Sequence, residues 1–207
     1  MEQFVKGLAD TAELLALTCF NVDFDIMVAV VHDCFSDREQ IGGYKVSIGR
    51  ADLSRARAGQ PQAGGMHPAT ALIYRPRAYA DRCVFIANMS DGWYTGVNML
   101  ARELHADCLS LRTSGLEVKY SINDLRIYRL GQEIRYVRAF KDGSQWEFFE
   151  KGERLGIEST SNYGKRRIRD RFNKEGLIET ARAAGWDMRD PDLWQSDYPA
   201  IYIDELR

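Results

Sequence analysis

Five consecutive apolar residues, Cys83–Ala87, run into Asn88, Ser90, Asp91 and Gly92, and Trp93, Val97, Leu100, Ala101 and Leu104 then recur at helical spacing. An unbroken apolar run of this length suits a strand buried on both faces. The polar residues after it are turn and helix-capping types, and the spacing beyond them is that of an amphipathic helix. Cys108–Thr113 reads as a second strand. A strand, a tight turn, a helix and a strand joined this closely predict a crossover between parallel neighbours. The rest of the chain must be arranged around that unit.

Upstream, Leu8, Ala12, Leu15 and Cys19 share one helical face, which predicts a helix over Leu8–Phe20. Phe24–Val31 is rich in β-branched residues and predicts a buried strand. A turn at 37–43 leads to the alternating run Tyr44–Ile48, a half-exposed strand. Arg50–His67, with Gly59, Pro61, Gly64 and Gly65, predicts a loop from which Arg50, Arg55 and Arg57 reach outward. Ala71–Tyr74 is a short strand stopped by Pro76.

Downstream, residues 117–150 predict an antiparallel meander. Leu125–Leu130 and Glu133–Phe140 flank Gly131-Gln132, and Asp142-Gly143 centres a two-residue hairpin turn. That centring sets Arg138 opposite Glu147, Tyr136 opposite Phe149, Val137 opposite Phe148 and Ala139 opposite Trp146. Thr160 or Ser161 caps a helix running to about Phe172, and Asn173 caps another that Gly185 ends. Ala200–Ile203 predicts a strand at a sheet edge. The expected fold is therefore α+β: a small mixed sheet with one β-α-β crossover, an antiparallel β-meander and C-terminal helices. A chain of 207 residues suits one domain, 1–207. A change of character near 115 would separate a mixed half (1–115) from a meander-plus-helices half (116–207).

Hydrophobic residues make up 45% of the chain, enough for a sizeable core, and the net charge of -2 argues against a dedicated polyanion binder. Charge is nonetheless polarised. Residues 1–39 carry eight acids and two bases, 50–82 six bases and two acids, 165–171 five bases and one acid, and 186–207 six acids and two bases. Such poles steer charged partners or pair with one another. No apolar stretch reaches the ~18 residues of a membrane span. The N-terminal residues lack the basic, apolar character of a signal peptide. Cys19, Cys34, Cys83 and Cys108 are widely spaced inside apolar segments, the pattern of reduced core thiols in a cytoplasmic protein.

Asn88-Met89-Ser90-Asp91-Gly92 approaches the strand-turn-helix pattern of a hydrolase nucleophile, with Asn where the first glycine belongs. His105, the histidine downstream of Ser90, stands at the far end of the same helix, ~20 Å away at 1.5 Å per residue. Ser90 and Asp91 are therefore read first as caps, and as catalytic residues of an enzyme on an anionic or acyl substrate only in the alternative. His32 and Cys34, two residues apart, have no companion ligand motif, so no metal is expected. No Walker sequence and no G-x-G-x-x-G occurs, so no cofactor is expected either.

The binding candidates are the basic cluster Lys165, Arg166, Arg167, Arg169 and Arg171, with Trp146 and Tyr136 from the aromatic meander. A pI near 6.0 disfavours nucleic acid as the target of that cluster. The preferred expectation is a non-enzymatic cytoplasmic protein that binds another protein, such as a toxin or enzyme. A bacterial immunity or antitoxin-type inhibitor acts in this way, by occlusion. Nothing in the sequence speaks to oligomeric state.

Overall fold

A computed structural model describes residues 14–35, 43–53, 68–116 and 119–206. Among these residues nine strands form one sheet in the order β2-β9-β3-β4-β1-β5-β6-β7-β8, and every hydrogen-bonded strand pair among them is antiparallel. In chain order they are β1 (Leu15–Phe20), β2 (Tyr44–Arg50), β3 (Thr70–Tyr74), β4 (Cys83–Ala87), β5 (Cys108–Thr113), β6 (Ile122–Arg129), β7 (Gln132–Asp142), β8 (Gln145–Lys151) and β9 (Pro199–Glu205). Three α-helices accompany them among the described residues: α1 (Phe24–Phe35), α2 (Tyr94–Glu103) and α3 (Lys174–Ala183). The expected turn at 37–43 and the loop residues 54–67 lie largely or wholly outside the described residues.

The mixed α and β content is as expected, but the sheet is neither small nor mixed. The expected parallel pair is the first correction. β4 and β5 run in the same direction and α2 joins them, yet β1 lies between them, antiparallel to both. Leu15–Phe20 is thus a central strand and not the end of a helix. All of its residues except Leu15 are buried, because both faces of the sheet are covered there. A strand enclosed on both sides loses the two-residue alternation that distinguishes it from a buried helix.

Phe24–Phe35 is a helix where a strand was expected. Phe24, Met27, Val31 and Phe35 form the buried stripe, and packing overrides the β-branched preference of the segment. Asp23 starts this helix by accepting a hydrogen bond from the Asp25 N–H at 2.8 Å. β9, expected at an edge, is interior, paired with β2 on one side and β3 on the other.

The sheet carries a core on each face. On one face Phe20, Phe85, Ile201 and Tyr128 pack beneath Met27, Val31, Val97 and Leu100 of α1 and α2. On the other, Leu17, Ile86, Leu111 and Val137 pack against Leu177, Trp186, Leu193 and Trp194 of the C-terminal segment. Asn173 caps α3 as expected, its Oδ1 accepting from the Gly176 N–H at 2.9 Å, and Gly185 follows the last turn with φ 88. Among the described residues no helix is long and apolar enough to cross a membrane.

Candidate functional site

The β7–β8 hairpin positions two of the candidate side chains. Its closing pair is Asp142 and Gln145, and Gly143, at φ 58, takes the first central position of the turn. The turn is therefore centred one residue later than the sequence indicated, and the register differs by two: Arg138 opposes Phe149, Ala139 opposes Phe148 and Lys141 opposes Trp146. A two-residue slip keeps every side chain on its own face. Tyr136 and Phe149 consequently still meet, diagonally, with ring centroids 5.3 Å apart. Trp146 and Tyr136 point to opposite faces and belong to different surroundings.

Trp146 faces the C-terminal segment, where it lines a groove of about 390 Å³ with Gln145, Arg167, Ile168 and Arg169. The basic run there is not the expected helix. Thr160–Asn162 and Ile168–Asp170 are single 3-10 turns joined by irregular chain. Gly164 falls inside the expected helix, and Lys165/Arg169 and Arg167/Arg171 would be like charges one helical turn apart, so both local terms oppose a helix.

Arg171 bends back to donate its Nε–H to the Lys165 carbonyl at 2.8 Å, and Arg169 lies 3.7 Å from Asp170. Among the described residues no carboxylate pairs with Lys165, Arg166 or Arg167. The acidic C-terminal stretch is engaged elsewhere: Asp192 and Asp197 with Arg77, and Asp187 beside Arg182. The acidic C-terminal stretch thus pairs with the basic 50–82 stretch at Arg77 and leaves the 165–171 cluster to itself.

A buried ion pair fixes the segment that carries these bases. Arg135 and Glu158 are both fully buried at their side chains. Arg135 donates its Nε–H to Glu158 Oε1 at 2.9 Å and Nη2 to Glu158 Oε2 at 2.8 Å and Glu150 Oε2 at 2.7 Å. Its Nη1 donates to the carbonyls of Lys151 and Gly152 at 3.3 and 2.9 Å. Every guanidinium N–H is thus used. Glu158 also accepts from the Leu155 N–H at 2.8 Å and the Tyr163 hydroxyl at 2.7 Å, so each of its oxygens accepts twice.

Burial pushes the Glu158 carboxyl up, but the hydrogen bonds from Arg135, Leu155 and Tyr163 outweigh it and hold the group below the ordinary range. Glu150 is lowered to about 2, first by its hydrogen bond from Arg154 and, against some burial, by Arg135. Strand β7 thereby clamps the loop that presents the basic cluster.

Tyr136 lies on the face shared with α1 and α2, in a network that the sequence did not announce. Asp124, 2% exposed at its side chain, accepts from Arg112 Nη2 at 2.6 Å and from the Tyr136 hydroxyl at 3.0 Å, and lies 3.8 Å from Arg126. Arg126 donates to Glu133 at 2.7 Å and stacks between the rings of Tyr136 and Tyr94, 3.9 and 4.1 Å from their centroids. The signal was alternation: Asp124 and Arg126 in β6, and Tyr136 and Arg138 in β7, share a face at two-residue spacing.

The 88–93 turn borders this network. Arg112 Nη1 donates to the Ser90 carbonyl at 3.2 Å. Neither Ser90 nor Asp91 is the helix cap. α2 begins after Trp93, in the left-handed region at φ 55 and without a side-chain cap bond. Asp91 instead braces the turn by accepting from the Trp93 N–H at 2.9 Å. The indole packs against Phe35, Tyr44 and Phe85, and this tertiary contact holds the strained backbone where a cap was expected.

Among the described residues no group of three or more His, Cys, Asp or Glu side chains is placed to hold a metal ion. His32 and Asp33 are exposed on α1. None of the four cysteines forms a disulfide; burial raises the Cys83 thiol to about 12 and pushes Cys19 and Cys108 well above their ordinary values. Comparison of the chain with protein-family models, with curated proteins and with solved structures finds no match.

Proposed function

We propose that the chain is a non-enzymatic protein-binding protein of the inhibitor kind, as a bacterial immunity or antitoxin-type protein would be, acting in the cytoplasm. The supporting observation is the groove that joins Trp146 and Ile168 to Arg167 and Arg169, beside Lys165 and Arg166. An aromatic and aliphatic floor beside Arg167, Lys165 and Arg166, which no carboxylate among the described residues pairs with, fits an acidic surface that presents an apolar side chain. Arg and Trp are the residue types that dominate binding energy at protein interfaces. The positive charge speeds encounter, and seating the partner occludes whatever site the partner covers with the groove. The buried thiols of Cys19, Cys83 and Cys108, none in a disulfide, favour a reducing compartment.

The test is affinity purification of the full chain from its native host, beside the variants Trp146→Ala and Arg167→Glu/Arg169→Glu. A stoichiometric acidic protein that is retained by the parent chain and lost by both variants, with unchanged melting, supports the reading. Recovery of no protein partner defeats it. Recovery of nucleic acid that dissociates steeply with salt moves the cluster to that function.

One observation favours a second reading. Arg112, paired with Asp124 through Nη2, also donates Nη1 to the Ser90 carbonyl, so a guanidinium stands beside the 88–93 turn, where an enzyme acting on an anionic or acyl substrate would use one. Ser90→Ala and Asp91→Asn would then abolish activity without lowering stability.

A further inference from the structure

On the face shared with α1 and α2, the buried apolar layer stops at Tyr128 in β6 and does not extend over β7 or β8. Arg138 lies beyond that limit, opposite Asp124 in β6 and Phe149 in β8. Its guanidinium carbon is 4.0 Å from the Phe140 ring centroid and 5.6 Å from those of Tyr136 and Phe149. Its Nε is buried without a hydrogen-bond partner, and among the described residues it forms no ion pair. Of the buried or half-buried carboxylates on this face, Asp124 is committed to Arg112 and Tyr136 and Glu133 to Arg126, while Glu147, diagonal to Arg138 in β8, is exposed. A buried donor left without an acceptor on a charged group costs stability, and such an atom in a native protein calls for a reason.

We propose that Arg138 anchors a binding site for a carboxylate carried on an apolar body. A guanidinium held against aromatic rings keeps its fork of N–H groups in one plane, and a carboxylate entering that plane takes two of them in parallel. Phe149, 41% exposed, offers its ring to the apolar part of the same ligand. Asp124 and Glu133 neutralise Arg112 and Arg126, and among the described residues no ion pair neutralises Arg138. The site is on the opposite face of the sheet from the Trp146 groove and stands or falls independently of it.

The test uses the full chain with benzoate, acetate and inorganic phosphate, each titrated at constant ionic strength by calorimetry and by thermal melting. Benzoate is expected to bind saturably and raise the melting temperature, with acetate and phosphate weaker. Arg138→Met is expected to weaken benzoate by about 10- to 100-fold, the range for charge-assisted hydrogen bonds. Its ligand-free melting temperature should equal or exceed that of the parent chain, because a thioether stacks on the same rings without an orphaned donor. Phe149→Ala should narrow the preference for benzoate over acetate. The proposal is overturned by a lack of saturable binding, by Arg138→Met binding equally well, or by phosphate outcompeting benzoate. A large drop in the ligand-free melting of Arg138→Met would also overturn it, since Arg138 would then be structural.

Discussion

Arg135 and Arg138 stand three residues apart on β7 and point to opposite faces of the same sheet. Around Arg135 the chain has folded its own acceptors into place: two carboxylates and two carbonyls from 150–158 take every N–H it has. Around Arg138 it has supplied aromatic rings and no acceptor for Nε. The two sites differ in what lies above the strand. Residues 153–172 close over the first, whereas α1 and α2 end short of the second. A saturated, buried cation is part of the frame, and a stacked cation with an unused donor is available to something outside the chain.

The largest expected effect falls on the closed side. Arg135→Met leaves Glu158 buried and uncompensated, and should cost about 3–5 kcal/mol in urea unfolding. The double change Arg135→Met/Glu158→Leu should recover much of that loss, because two apolar groups replace the pair without stranding a charge. A single-variant cost near zero would erase the contrast between the two arginines.

Acid should act on the same side. Glu150 and Glu158 have folded-state values below their ordinary 4.5, Glu150 at about 2. Their stabilising contribution is fully present above the unfolded value and is lost as pH falls through the folded values. The urea midpoint should therefore decline below about pH 4.5 and continue to fall towards pH 2. The decline should be shallower in Arg135→Met.

A smaller effect is expected at Gly152, where φ is 83 and an added Cβ would lie 2.0 Å from the Ile134 carbonyl oxygen. Gly152→Ala should cost about 1–3 kcal/mol and displace the carbonyl that Arg135 uses. The smallest belongs to the open side: Arg138→Met should change unfolding free energy by no more than about 0.5 kcal/mol.

What the sequence revealed follows from how each segment is covered. β2 has a solvent edge and α3 a polar side, and their patterns were readable; Cys83–Ala87, buried throughout, was marked by the turn residues after it. β1 was misread because cover on both faces removes periodicity, and α1 because its β-branched composition outweighed the spacing of Phe24, Met27, Val31 and Phe35. The Asp23 cap was a usable signal for α1.

The basic cluster was visible, but its meeting with Trp146 was not. That meeting depends on Arg135 reaching Glu158, 23 positions along the chain. The Arg112–Asp124–Arg126 network was hidden for the same reason: cross-strand register places its members together, and composition does not encode register.

The position of β9 carries a consequence for synthesis. Among the described residues Tyr44–Arg50 pairs with Pro199–Glu205 and with no other strand, and β3 also leans on those residues. While the ribosome is still translating the intervening 150 or so codons, β2 has a helix to rest on but no strand to pair with. A nascent chain stalled before codon 199 would carry Val46 and Ile48 on a strand with both edges bare. Chaperone capture or proteolysis of such truncated products should therefore begin there.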